Sequence, residues 1–61
     1  MYNIKINNLI IGYACNEEII RDILTRYYQA KGKSVKKELK DLQLLDNEFS
    51  LLDDKISVKS E

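Results

Sequence analysis

The second half of the chain carries the longest regular pattern of apolar residues. From Ser34 to Val58 there is no proline or glycine, and apolar side chains recur at steps of three or four residues. They are Val35, Leu39, Leu42, Leu45, Phe49, Leu52 and Ile56. This spacing places the side chains on one stripe of an α-helix. We therefore predict a long helix over residues 34–53, capped by Ser34, with a frayed tail at 55–61.

A pattern of different period leaves an alternative open at the end of the chain. Residues 55–59 alternate between polar and apolar side chains, which is the period of a β-strand. Residues 48–52 form a second short run, and Asp53-Asp54 between the two runs is suited to a turn. A short C-terminal strand or hairpin is therefore kept as the alternative to a continuous helix.

The first fourteen residues predict an antiparallel hairpin. Tyr2–Ile6 alternates apolar and polar side chains, and Leu9–Ala14 is apolar throughout. Asn7-Asn8 between them tolerates the positive φ angles of a tight turn. We predict a β-hairpin over residues 2–14, in which Gly12 marks a bulge or a close approach of another group to the backbone.

A helix over residues 16–30 follows the hairpin. Asn16 is a favourable N-cap, Glu17 and Glu18 complement the helix dipole, and Gly32 is suited to the residue after the helix end. The apolar face has helical spacing and consists of Ile19, Ile20, Ile23, Leu24, Tyr27 and Tyr28.

These elements predict one α+β domain, residues 1–61, with an N-terminal antiparallel hairpin followed by two antiparallel helices. The second helix is the longer, so its distal end is left uncovered by the first. We expect this uncovered end to bind a protein partner or a second copy, giving a homodimer. The predicted partner-binding residues are Leu45, Phe49 and Leu52, together with Tyr27 and Tyr28, because tyrosine is favoured at interfaces.

Composition narrows the chemistry that the chain can perform. Cys15 is the only cysteine and there is no histidine, so neither an internal disulfide nor a Cys-His pair can form. The carboxylates lack the spacing of a calcium-binding loop, and two glycines are too few for a phosphate-binding loop. We expect no enzymatic activity, no catalytic residues, no metal and no cofactor. Cys15 itself is expected to be a small buried residue at the junction of strand and helix.

The distribution of charged residues indicates a local basic patch in a protein that is neutral overall. Ten basic and ten acidic residues give a formal net charge of zero, which disfavours a protein that coats nucleic acid. One segment is nevertheless rich in lysine, and opposes the dipole of the helix predicted there. This predicted basic patch consists of Lys31, Lys33, Lys36, Lys37 and Lys40.

The sequence has no membrane span and no signal-peptide core, since its longest apolar run is Leu9–Ile11. We expect a cytoplasmic protein. The abundance of Ile, Lys, Asn and Tyr follows from AT-rich coding, as in many low-GC bacteria and their phages.

Two functions are compared on this basis. The order strand, helix, turn and helix over Leu9–Leu45, with Lys-Gly-Lys-Ser34-Val35 opening the second helix, resembles the ribbon-helix-helix family. That resemblance implies a dimeric DNA-binding repressor, whose strand presents polar side chains to the major groove, whereas Leu9–Ala14 is apolar. We therefore favour a small non-enzymatic regulator or inhibitor, phage or mobile-element encoded, that acts by protein–protein interaction.

Overall fold

The protein is a four-stranded antiparallel sheet with one long and one short helix, as seen in a computed structural model that describes residues 1–61. In chain order the elements are β1 (Tyr2–Ile6), β2 (Leu9–Ala14), α1 (Glu17–Gln29), α2 (Lys36–Lys40), β3 (Asn47–Leu51) and β4 (Asp54–Ser60). The strands lie side by side in the order β2-β1-β4-β3. The sheet is therefore built from two hairpins joined along β1 and β4, and β2 and β3 are its edges.

The first hairpin and the first helix confirm the predictions from sequence. Asn7 and Asn8 have φ angles of 51° and 72°, as a tight turn between β1 and β2 requires. The register of β1 and β2 shifts beside Gly12, where Ile4 pairs with Gly12 and Lys5 with Ile10. The predicted bulge is thus present, with Ile11 as the extra residue.

Helix α1 begins and ends at the residues that the sequence indicated. The Asn16 side chain accepts a hydrogen bond of 2.9 Å from the Ile19 amide, which satisfies one of the free N–H groups of the first turn. After the last turn Gly32 has a φ angle of 75°, in the left-handed region where glycine is favoured.

The predicted long second helix is wrong. Helix α2 has only five residues, and the segment predicted to continue it forms the hairpin of β3 and β4 instead. Ser34 is not its cap, because the N-cap position is Val35 and no side chain donates or accepts there. The C-terminal hairpin, which the alternation of residues 55–59 had left open, is the observed structure, and its turn residues Leu52 and Asp53 both have positive φ angles.

The reason for the difference lies in the partner that β1 needs. The N-terminal hairpin alone leaves one edge of β1 unpaired and Ile4 and Ile6 uncovered. Strand β4 pairs with this edge, placing Val58 opposite Ile4 and Ile56 opposite Ile6, and all four side chains are buried. Tertiary pairing therefore overrides a local pattern that fits a helix equally well.

The core lies between one face of the sheet and the two helices. Twelve apolar residues are buried and no charged residue is. They are Ile4, Ile6, Ala14, Ile20, Leu24, Tyr28, Val35, Leu39, Leu44, Leu51, Ile56 and Val58. The opposite face of the sheet carries no helix, which leaves its side chains open to solvent.

Two polar networks fix the helices and turns around this core. The Arg21 guanidinium donates hydrogen bonds to the carbonyl oxygens of Leu39 and Leu42, at the end of α2. The Leu39 carbonyl also accepts a hydrogen bond of 3.3 Å from the Leu42 amide, and the guanidinium adds a donor from α1. Arg21 therefore links α1 to the end of α2. Glu17 forms an ion pair of 3.3 Å with Arg21 and also accepts a hydrogen bond from the Leu44 amide.

The second network joins α1 to both hairpin turns. The hydroxyl of buried Tyr28 donates to the Asp54 carboxylate at 2.8 Å, and the Asn7 side-chain amide donates to the same carboxylate at 3.0 Å. Asn7 also accepts from the Lys55 amide at 2.9 Å. Asp54 is therefore the point at which the two turns and the helix meet.

Candidate interaction surfaces

The residues predicted to bind a partner do not form one stripe in the structure. Leu45 lies in the loop before β3 and Phe49 on β3, and both are half-buried against the core. Leu52, in the turn between β3 and β4, is 39% exposed. Tyr28 is buried and Tyr27 half-buried. The helix that was to align these side chains is absent, so Leu52 is the one exposed apolar residue of the set.

The predicted basic patch is exposed but divided between two elements. Lys31 and Lys33 lie in the turn after α1, whereas Lys36, Lys37 and Lys40 lie on α2. The Lys31 ammonium donates to the Tyr27 hydroxyl at 2.9 Å, which raises the pKa of Lys31. These lysines remain a candidate cationic surface.

The candidates for chemistry are few. No group of three or more carboxylate, cysteine or histidine side chains is placed to hold a metal ion. Cys15 is exposed, so the prediction that it is buried is wrong. It lies at the strand-to-helix junction, between buried Ala14 and the exposed N-cap Asn16, where the chain leaves the core. Neither helix has the length and apolar composition that crossing a membrane requires.

An exposed apolar surface lies instead along the edge strand β2. Six large apolar residues of the protein are exposed, and three of them, Leu9, Ile10 and Tyr13, are on this strand at 71%, 49% and 52%. Ile19, on α1, is a fourth. It lies one turn before Ile23, which packs on Gly12 of β2, so Ile19 stands on the face of α1 that neighbours this strand. We call Leu9, Ile10, Tyr13 and Ile19 the edge patch.

The backbone of β2 adds hydrogen-bonding capacity to this patch. Strand β2 pairs only with β1, so its outer edge has N–H and C=O groups without a strand partner. Its six residues include no charge and no proline, and the bulge at Ile11 is its only protection against pairing. The other edge, β3, is shorter and has Glu48 near its centre. The two edges therefore differ, and β2 is the one open to a further strand.

A second surface is the uncovered face of the sheet. Because paired residues share a face, Lys5, Ser57 and Glu48 form one row across β1, β4 and β3. Lys55 and Lys59 stand two residues on either side of Ser57 and so point the same way. We call Lys5, Lys55 and Lys59 the face lysines.

The face lysines surround a shallow depression of about 340 Å³ lined entirely by polar residues. The lining residues are Lys5, Asn8, Glu48, Lys55, Ser57 and Lys59. Glu48 forms an ion pair of 3.5 Å with Lys59, whereas Lys5 and Lys55 have no carboxylate within ion-pair distance. Three positive charges and one negative charge give this face a local excess of two in a neutral protein.

Apolar and aromatic side chains continue the same face toward β2. Lys5 pairs with Ile10, and Asn3 pairs with both Lys59 and Tyr13, so Ile10 and Tyr13 stand beside the face lysines. The Asn3 side-chain oxygen has no hydrogen-bond partner in the protein. Sequence reasoning missed this surface, because it arises from the pairing of β1 with β4. The alternation of Lys55 and Lys59 with Ile56 and Val58 was the available signal.

Comparison with known proteins gives no relative from which either surface could be interpreted. No protein-family model, no curated protein and no solved structure matches the chain with significance.

Proposed function

We propose that the protein is a small non-enzymatic regulator or inhibitor that acts by protein–protein interaction, and that its contact element is the edge strand β2. The observation that supports this proposal is the coincidence of a free backbone edge with exposed apolar side chains on one uncharged strand. A strand added to such an edge gains main-chain hydrogen bonds and covers the neighbouring apolar side chains. The ribbon-helix-helix alternative loses its support, because the second helix that it requires has only five residues.

The partner that we propose for β2 is the β2 strand of a second copy, which gives a homodimer. Two identical strands pair antiparallel about a twofold axis, and each contributes the same residues to the contact. Because β2 carries no charge, this pairing places no like charges opposite each other. A chain of this size buries only about 60% of the surface that its unfolded form exposes, so pairing the free edge and partly covering the apolar side chains beside it adds to stability.

Sedimentation velocity over a range of protein concentrations tests this proposal. The contact of two short strands is at the small end of interface sizes, so the dimer is expected to dissociate on dilution. Ile10→Lys places a charge on the strand and should give a monomer at every concentration. Leu52→Lys is the matched control, since Leu52 is also exposed and apolar but lies in the opposite hairpin turn, and it should still dimerise.

The control also separates the two candidate contacts. A dimer that is lost in Leu52→Lys and kept in Ile10→Lys would place the contact at the residues predicted from sequence and contradict the role of β2. A wild-type chain that stays monomeric at the highest concentration would reject the homodimer.

A further inference from the structure

We infer that the uncovered face of the sheet binds single-stranded nucleic acid, through the face lysines and Tyr13. This site does not depend on the proposed homodimer, because it is formed by side chains of β1, β2 and β4 within one copy. It is also distinct from the basic patch that the sequence indicated, which lies in the turn after α1 and on α2.

Charge is the first argument. The three face lysines stand on two adjacent central strands, where the sheet holds their Cα atoms in fixed register. Glu48 is the only carboxylate on the strands of this face, and it forms an ion pair with Lys59 alone. The ammonium groups of Lys5 and Lys55 are therefore free to contact phosphate oxygens, with Ser57 between them as a hydroxyl donor.

The aromatic side chain is the second argument, and it selects a single strand over a duplex. Tyr13 is 52% exposed and stands on the same face, in the row of Asn3 and Lys59. An unpaired base can stack on the tyrosine ring while its phosphate contacts the lysines, which is the usual combination in proteins that bind single strands. In a duplex the bases are stacked on one another and the ring has no such partner.

The experiment measures the affinity for a fluorescently labelled twelve-nucleotide oligothymidylate by anisotropy, as a function of salt. Three phosphate contacts on a single strand give a slope of about −2 for log K against log salt concentration, so the affinity should fall roughly 20-fold between 50 and 200 mM salt. Lys5→Gln with Lys55→Gln should reduce the slope to about −0.7. Lys36→Gln with Lys37→Gln on α2 removes the same charge elsewhere and should leave the slope unchanged.

Two further variants test the composition of the site. Tyr13→Leu keeps an apolar strand residue and removes the ring, and should weaken binding about tenfold. Glu48→Gln removes the carboxylate and frees Lys59, and should strengthen binding roughly threefold. Far-UV circular dichroism of each variant checks that the fold is kept, since all these positions are on the surface.

Several results would overturn the inference. The first is a lack of binding at 50 mM salt. The second is a loss of affinity in Lys36→Gln with Lys37→Gln that is as large as in Lys5→Gln with Lys55→Gln. The third is a blunt duplex of equal length that binds as tightly as the single strand. Inorganic polyphosphate that competes equally well, with Tyr13→Leu unaffected, would show a phosphate site without recognition of bases and would also contradict it.

Discussion

The Tyr28 hydroxyl offers the sharpest test of how the two halves of the chain are joined. It lies on α1, is buried, and donates to the Asp54 carboxylate of the β3–β4 hairpin at 2.8 Å. Burial, and then this bond to a carboxylate, raise the pKa of Tyr28, so the hydroxyl stays protonated and remains a donor. Tyr28→Phe removes the hydroxyl and keeps the ring that fills the core.

The expected loss follows from the kind of bond that is removed. A hydrogen bond to a charged group contributes roughly 1.5 to 3 kcal/mol to stability, and the lower end applies here because Asp54 is only half-buried and retains Asn7 as a donor. We expect Tyr28→Phe to lower the free energy of unfolding by about 1.5 kcal/mol. A chain of 61 residues has a total stability of roughly 3 to 9 kcal/mol, so the loss is easily measured.

Urea unfolding followed by far-UV circular dichroism at pH 7 and at lower pH is the assay. The Tyr28 hydrogen bond is the first cause, and the Asn7 bond the second, of the lowered pKa of Asp54. Because the folded-state pKa is below the ordinary value of 3.8, the ionised carboxylate contributes stability above that value, and this is lost as the pH falls through the folded-state pKa. The difference between wild type and Tyr28→Phe should therefore shrink on acidification.

The neighbouring tyrosine supplies the control. Tyr27 is half-buried and its hydroxyl accepts only from exposed Lys31, so Tyr27→Phe should leave the urea midpoint close to that of wild type. Asp46 accepts two hydrogen bonds from Ser60 and also has a lowered pKa. The stability that it contributes should be lost on acidification in both variants alike. A Tyr28→Phe variant as stable as wild type at pH 7, or a difference that does not depend on pH, would refute this account of the network.

Two further predictions concern the packing of the helices. In Arg21→Lys the ammonium lacks the planar fork of a guanidinium, so it cannot contact the carbonyls of Leu39 and Leu42 together. This variant should exchange the amide hydrogens of α2 faster than wild type, while those of β1 stay protected. Exchange in α2 at the wild-type rate would contradict the role of Arg21. Leu24→Ala removes a fully buried side chain and should lower stability by about 3 kcal/mol and the melting temperature by about 20 °C. Ile19→Ala, at an exposed position on the same helix, should cause a much smaller shift in a thermal scan, and equal shifts would contradict the assignment of the core.

Local signals determined the first half of the structure and failed in the second. The Asn7-Asn8 turn, the Asn16 cap and Gly32 each favour one backbone conformation, so their elements could be predicted from neighbouring residues alone. The β3–β4 turn has a weaker signal. Asp53-Asp54 is suited to a turn, but the residues at positive φ are Leu52 and Asp53, where glycine or asparagine is usual. Leucine at this position favours continuation of the helix over a turn.

The spacing of the apolar residues in the second half fits two structures. Val35, Leu39 and Ile56 lie on the predicted helical stripe and are buried in the sheet structure as well. The discriminating residues are Leu44 and Val58, which lie outside the stripe and are fully buried. The burial of Val58 depends on the pairing of β4 with β1, across more than fifty residues of sequence, and no local window contains that information. The interaction surfaces were missed for the same reason.

The two proposed surfaces share strand β2 but use different parts of it. The homodimer requires the outer backbone edge of β2, whereas nucleic-acid binding requires the side chain of Tyr13, which stands on the uncovered face. A twofold axis perpendicular to the sheet keeps both uncovered faces on the same side, so edge pairing would join two sets of face lysines into one continuous surface. The surfaces are therefore compatible, and they can also fail separately. Lys5→Gln with Lys55→Gln leaves the β2 edge intact and Leu52→Lys leaves the face intact, so the same variants examined in both assays show which surface functions.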